Sequence, residues 1–234
     1  MSTTNLTLTY FPIGGKAEPI RLTAAAGGIA FTNKVMSPAA FKQAKIDADG
    51  TLPLGQLPIL EIETDGEKLT LTQSAAILRY FGKLGGLYPT DDIEAMQVDG
   101  MMCILDDLLA TLGMTAKGAV GSMISDTEWT TEEKIAIRVK WMENALPRFL
   151  GFIEKGLESS ESGWLVGDNV SIADIRMYTD LSFLCSGVLD GIPVTVLEEY
   201  PCCLALMEKV KGVEGVKKWM DMYSKPYPTF DFEA

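Results

Sequence analysis

The chain has 234 residues, enough for two ordinary domains with separate cores, and its 47% hydrophobic and 22% charged content is typical of a soluble globular protein. With 32 acidic against 20 basic residues the net charge is −12, which argues against nucleic acid or an anionic membrane as the main partner, because both need basic surface. The sequence has no histidine, so the commonest metal ligand and general base is missing and any catalysis must use other groups.

Leu6, Leu8 and Tyr10 alternate with Thr7 and Thr9, the period of a half-buried strand. Phe11-Pro12-Ile13-Gly14-Gly15 breaks that strand, and a helix is expected from about Lys16 to Ala26, with Pro19 in its first turn and Gly27-Gly28 at its end. Phe31 to Met36 reads as a second short strand and Pro38 to about Lys45 as a short helix. Ile59 to Glu63 and Lys68 to Leu71 are apolar-rich runs joined across Asp65-Gly66, a pair typical of a tight hairpin turn. Pro58 opens the first of these strands, where a missing N–H is tolerable and a cis bond can occur. Gln73 and Ser74 stand where the second strand gives way to a helix, whose unpaired N–H groups suit an anionic, peptide-like ligand.

The order β-α-β-α-β-β-α makes the first two strands parallel neighbours through a right-handed crossover, and the hairpin adds an antiparallel pair. Residues 1–86 are therefore expected to form an α/β domain and 87–92 a linker, with an all-α domain over 93–234. Ile93, Met96, Met101, Ile104, Leu105, Leu108 and Leu112 give the first long helix one apolar face. Thr130 with Glu133 and Ser171 with Asp174 are capping pairs for later helices, the first of which contains Pro147. The tail from Pro226 to Ala234 is aromatic and reads as irregular. The four cysteines, Cys103, Cys185, Cys202 and Cys203, show neither CxxC nor zinc spacing and read as reduced thiols. No basic-then-apolar leader and no apolar run of about 18 residues is visible, so a soluble cytoplasmic protein is expected.

Five short motifs occur together in order. They are the Leu-Thr-Tyr-Phe strand end, Ala17-Glu18-Pro19-Ile20-Arg21, Leu57-Pro58-Ile59-Leu60, Gln73-Ser74-Ala75-Ala76-Ile77 and Ser171-Ile172-Ala173-Asp174. Over essentially its whole length the chain resembles the cytosolic glutathione transferases, which join a thioredoxin-like domain to an all-α one. Tyr10 at the strand end, in place of serine or cysteine, and Asp106-Asp107 on the first long helix are most similar to the sigma class, which includes haematopoietic prostaglandin D synthase. The loop from Ile46 to Gln56 lacks the aromatic key that alpha, mu and pi relatives insert into a partner subunit.

The resemblance implies a homodimer that activates the glutathione thiol for attack on a small apolar electrophile, with Tyr10 as the catalytic hydroxyl. It implies further that Gln73 and Ser74 meet the γ-glutamyl end, although Ser74 would serve equally as a plain helix cap. Leu57, beside Pro58, offers its backbone to the cysteinyl part. Lys45 meets the glycine carboxylate, and Gln56 stands where many relatives carry another lysine. Lys16 replaces an arginine and Phe41 a tryptophan that donates to the glycine carboxylate, a bond phenylalanine cannot make. Asp106 matches an acid that reaches across the dimer. Phe11, Ile13, Gly14, Leu109 and Met114 fall on positions that line the electrophile site in relatives. Cys103 replaces an aspartate of the prostaglandin enzyme's interfacial metal cluster, so no metal is expected. Gly14 and Met114 replace that enzyme's arginine and tryptophan. A non-catalytic binding or structural protein on this fold, or a glutathione-dependent isomerase, are the alternatives.

Overall fold

The computed structural model describes residues 4–47, 50–115, 129–223 and 227–233. The chain folds into two compact units, Met1–Tyr88 with Lys211–Ala234, and Pro89–Val210. Sequence alone assigns everything after residue 93 to the helical domain, whereas the C-terminal segment from Lys211 belongs with the sheet.

The first unit contains β1 (Thr4–Tyr10), a 3-10 turn (Gly15–Ala17), α1 (Glu18–Ala26), β2 (Phe31–Val35), α2 (Pro38–Asp47), β3 (Ile59–Thr64), β4 (Glu67–Thr72) and α3 (Ser74–Leu84). The expected helix from Lys16 therefore begins as a 3-10 turn and becomes α-helical at Glu18, with Pro19 in the first turn of α1. Asp65 and Gly66 both take positive φ, as a tight hairpin connection requires, and Ile59 pairs with Thr72 through to Thr64 with Glu67. β1 runs parallel to β2 and antiparallel to β3. That central place buries Thr9 as well as Leu6, Leu8 and Tyr10, so β1 is not the half-exposed strand its alternation suggests.

The sheet has five strands, in the order β4-β3-β1-β2-β5, where four were expected. The extra one is β5 (Phe230–Phe232), from the tail that sequence reads as irregular; it pairs antiparallel with β2, Phe31 opposite Phe232 and Asn33 opposite Phe230. Its cause is aromatic burial. Buried Trp219 on the last helix has the rings of Phe31, Tyr223, Tyr227, Phe230 and Phe232 within 4.5–6.1 Å, and Tyr223 stacks on Phe230 at 4.0 Å.

The second unit holds α4 (Asp92–Gly113), α5 (Thr131–Glu158), α6 (Ile172–Leu184) and α7 (Pro201–Lys211), the last reaching one residue into the segment that leads to α8 (Glu214–Met222). α4 packs against α5 and α6. Asp91 caps α4 by accepting from the N–H groups of Ile93 and Glu94. The capping boxes of Thr130 with Glu133 and Ser171 with Asp174 both form, and Pro147 lies inside α5. Glu154 on α5 caps α7 from a distance, its two oxygens accepting from the N–H groups of Cys202 and Cys203 at 2.7 and 2.9 Å. No helix among the described residues is long and apolar enough to cross a membrane.

In the first unit α1 packs against α3 on one side and α8 on the other. A Cβ at Gly215 of α8 would stand 2.0 Å from the Ala25 carbonyl oxygen, a backbone atom that cannot rotate away. Gly215→Ala is expected to destabilise the protein by about 2–3 kcal/mol through overpacking, measured as a lowered midpoint in denaturant.

Candidate functional site

The junction of β4 and α3 forms one wall of a small polar cleft. Lys16, Gln56, Leu57, Pro58, Thr72, Gln73 and Ser74 line it, so six residues expected from sequence at the glutathione site meet in one place, with Thr72 in addition. The Leu57–Pro58 bond is cis and Pro58 is buried. Gln73 stands at the N-cap of α3 with φ 74 and ψ 103 and makes no side-chain capping bond; its carbonyl accepts from the N–H groups of Ala76 and Ile77. A non-glycine residue at such a φ is uncommon, and strain of this kind concentrates at binding sites. The helix thus begins at the cleft without a side-chain cap, which favours an anionic group there.

Tyr10 ends β1 almost fully buried, and its phenolic oxygen accepts from the Lys16 N–H at 3.2 Å. Lys16 therefore touches both the tyrosine and the cleft. A Cβ at Gly15 would come within 2.7 Å of the same hydroxyl, so the close approach depends on glycine there. The Tyr10 ring meets Phe11 edge-on at 5.4 Å, Phe11 meets Phe41 at 5.1 Å, and the Lys45 ammonium lies 5.6 Å from the Phe41 ring centre. Phe41 and Lys45 are thus tied to the Tyr10 side through Phe11. They are not among the cleft-lining residues.

Comparisons with known proteins assign the family. The model of the glutathione S-transferase N-terminal domain matches residues 6–83, and that of the C-terminal domain matches residues 120–222. The chain belongs to the glutathione S-transferase family. A glutathione S-transferase A of Cavia porcellus is 32% identical over 95% of this chain and 93% of its own. Human hematopoietic prostaglandin D synthase is 30% identical over 92% of this chain and 95% of its own. A solved structure of a monomeric glutathione S-transferase from the hookworm Necator americanus superposes with a TM-score of 0.73 at 28% identity, covering 94% of this chain and 98% of that one. As in this family, a thioredoxin-like domain with a mixed sheet is joined to a helical domain.

The transferase residues expected at the electrophile site are divided between the two units. In the first, Phe11 is half-buried, Ile13 is 53% exposed and Gly14 is buried; in the second, Leu109 is half-buried and Met114 is 71% exposed. Asp106 is 55% exposed on α4, and its Oδ1 accepts from Arg176 Nη2 of α6 at 2.7 Å. Arg176 also donates through Nε to Asp180 at 3.0 Å.

Two charged clusters in this transferase were not expected from sequence. One is the Asp106–Arg176–Asp180 group. The other surrounds Arg21, which is fully buried and donates through Nε to Asn33 at 2.7 Å and through Nη1 to the Ile13 carbonyl at 2.8 Å. Burial lowers the Arg21 pKa from its ordinary value, while Glu18 opposes that shift. The available signal was two charges, Glu18 and Arg21, spaced i, i+3 on an otherwise apolar helix.

For Asp180 burial is the dominant influence, outweighing the attraction of Arg176, and it pushes the carboxyl up to about 6 from 3.8. On Arg176 the two carboxylates outweigh burial and the pKa is raised. Because folding raises the Asp180 value, the associated stability is fully present below about pH 3.8 and is lost as pH rises through about 6. Asp180→Asn is accordingly expected to lack the loss of stability that the parent shows as pH rises from about 4 through about 6. Denaturant titrations of both proteins across that range measure it.

Proposed function

We propose that this chain is a tyrosine-type glutathione transferase that ionises the glutathione thiol for attack on small apolar electrophiles. The observation that carries this reading is the placement of Lys16, whose N–H holds the Tyr10 hydroxyl while the residue itself lines the polar cleft. With its oxygen already accepting that bond, Tyr10 keeps its own O–H to donate to sulfur, and the accepted bond strengthens the donor. A free thiol of pKa about 8.5 is mostly protonated at neutral pH, and lowering it by about two units requires roughly 2.7 kcal/mol. A hydrogen bond to a charged group contributes about 1.5–3 kcal/mol, so one aimed hydroxyl is of the right size.

In this reading glutathione lies with its γ-glutamyl end at Gln73 and Ser74, its cysteinyl part along Leu57 and Pro58, and its glycine carboxylate toward Lys45, with Lys16 and Gln56 beside it. Phe41 supports Phe11 and supplies no donor. Phe11, Ile13, Gly14, Leu109 and Met114 line the electrophile site, and the chemistry uses no metal. The enzyme works in the cytoplasm as a sigma-class homodimer in which Asp106, steadied by Arg176, meets the γ-glutamyl amine held by the partner. The prostaglandin isomerase reading draws support from the 30% identical human synthase, but Gly14 and Met114 depart from that enzyme's pattern and favour a broader pocket.

Turnover of glutathione with a generic aryl halide is expected, with Tyr10→Phe reducing kcat/KM by one to several orders of magnitude, since removing one stabilising donor costs on the order of 10²–10³. Equal rates would remove Tyr10 from the mechanism. Asp106→Asn is expected to raise the KM for glutathione about tenfold with kcat little changed, the signature of lost uniform binding. Gel filtration at the size of a single chain would rule out the shared site.

A further inference from the structure

The residues around Arg21 join the C-terminal tail to the segment that faces Tyr10. Tyr227 is buried, and its hydroxyl donates to Glu18 Oε1 at 2.5 Å. Glu18 Oε2 lies 3.5 Å from Arg21 Nη1, and the same Nη1 donates to the Ile13 carbonyl at 2.8 Å. Ile13 opens the short stretch that ends at Lys16, whose N–H holds the Tyr10 hydroxyl. The Arg21 guanidinium also lies 4.4 Å from the Tyr227 ring centre and 5.9 Å from that of Tyr10, so one buried cation sits near both phenols.

The tail is also anchored along β2, in part through Asn33, which itself accepts from Arg21 Nε. Asn33 Nδ2 donates to the Pro228 carbonyl, the Val35 N–H donates to Thr229 Oγ1, and Thr32 donates to Asp231, beside the β2–β5 pairing. Tyr227 therefore stands just ahead of an anchored strand, not on a free end. Burial and the neighbouring Glu18 raise the Tyr227 pKa, which keeps the phenol protonated and hence a donor. The titratable groups that face Arg21 are Glu18 on its own helix, Tyr10 on β1 and Tyr227 on the tail.

We infer that Tyr227 is a positioning residue for the thiol-activating hydroxyl, acting through Glu18, Arg21 and the 13–16 segment to hold Tyr10 in its donating geometry. The inference rests on the reading of Tyr10 as that hydroxyl. Through this relay the C-terminal strand sets how acidic the bound thiol is, while the cleft at Gln73 and Ser74 sets how tightly glutathione binds. The tail touches the first function and leaves the second alone.

Tyr227→Phe keeps the ring over Arg21 and removes only the hydroxyl; Glu18→Asp withdraws the carboxylate from both partners by one methylene. In each, the apparent thiol pKa, read from the pH dependence of kcat/KM and from ultraviolet titration of bound thiolate, is expected to rise by about half a unit. The corresponding fall in kcat is about threefold below about pH 6 and about 1.5-fold near pH 7, with the KM for glutathione within about twofold of the parent. Thr229→Val serves as the structural control: it loosens β5 and lowers the melting temperature without moving the pH profile. An unmoved profile in both folded variants overturns the inference, and so does an equal shift in Thr229→Val. Loss of activity in Tyr10→Phe with an unmoved Tyr227→Phe profile overturns only the role of the tail. Parental rates in Tyr10→Phe overturn the reading of Tyr10 and the inference with it.

Discussion

A guanidinium removed from water must be compensated where it lies, and Arg21 has no exposed surface. That requirement draws in Glu18 from its own helix, Asn33 from β2, the Ile13 carbonyl from the loop after β1, and the face of Tyr227 from the tail. Three neighbouring segments and the distant C-terminal tail are thereby held around one charge. Removing any of these partners leaves part of a buried ion uncompensated, a much larger cost than the loss of a surface pair. The path of the chain from Tyr10 to Lys16 is set by this demand as much as by its own turn residues.

The site divides accordingly into two parts with different physical origins. The cleft at the β4–α3 junction is made of backbone: a cis peptide at Leu57–Pro58, a residue at positive φ, and a helix start without a side-chain cap. Such a surface suits carboxylate and peptide groups and has little to offer a thiol. The Tyr10 side is made of side chains held by burial, with one backbone N–H fixing the phenolic oxygen. Lys16 belongs to both, which makes the 3-10 turn from Gly15 to Ala17 the link between binding and activation in the proposed mechanism.

Much of this is legible locally. The Asp65-Gly66 turn, the capping boxes at Thr130 and Ser171, and the helix start at Ser74 rest on interactions within four residues, and such signals survive in a linear reading. The co-location of Lys16, Gln56, Leu57, Pro58, Gln73 and Ser74 follows from a motif resemblance, and no local periodicity would bring Lys16 beside Gln73. The tail reads as irregular because its aromatic stretch has no strand period of its own. It becomes β5 only because β2 offers an unpaired edge and Trp219 a surface for its rings. Asp106 looks in sequence like a solvated helix acid, and its partner Arg176 lies 70 positions away.

By itself, the sequence determined the element order, the two-part α/β and all-α plan, and the family, because these depend on hydrophobic period, turn chemistry and short motifs that neighbouring residues carry together. Tertiary structure alone decided that the last residues return to the sheet, that Glu18 and Arg21 form a buried ion pair, and that Tyr227 closes it. The physical reason is that a buried charge and an open strand edge are satisfied by whatever the fold brings near, and sequence distance does not enter that requirement.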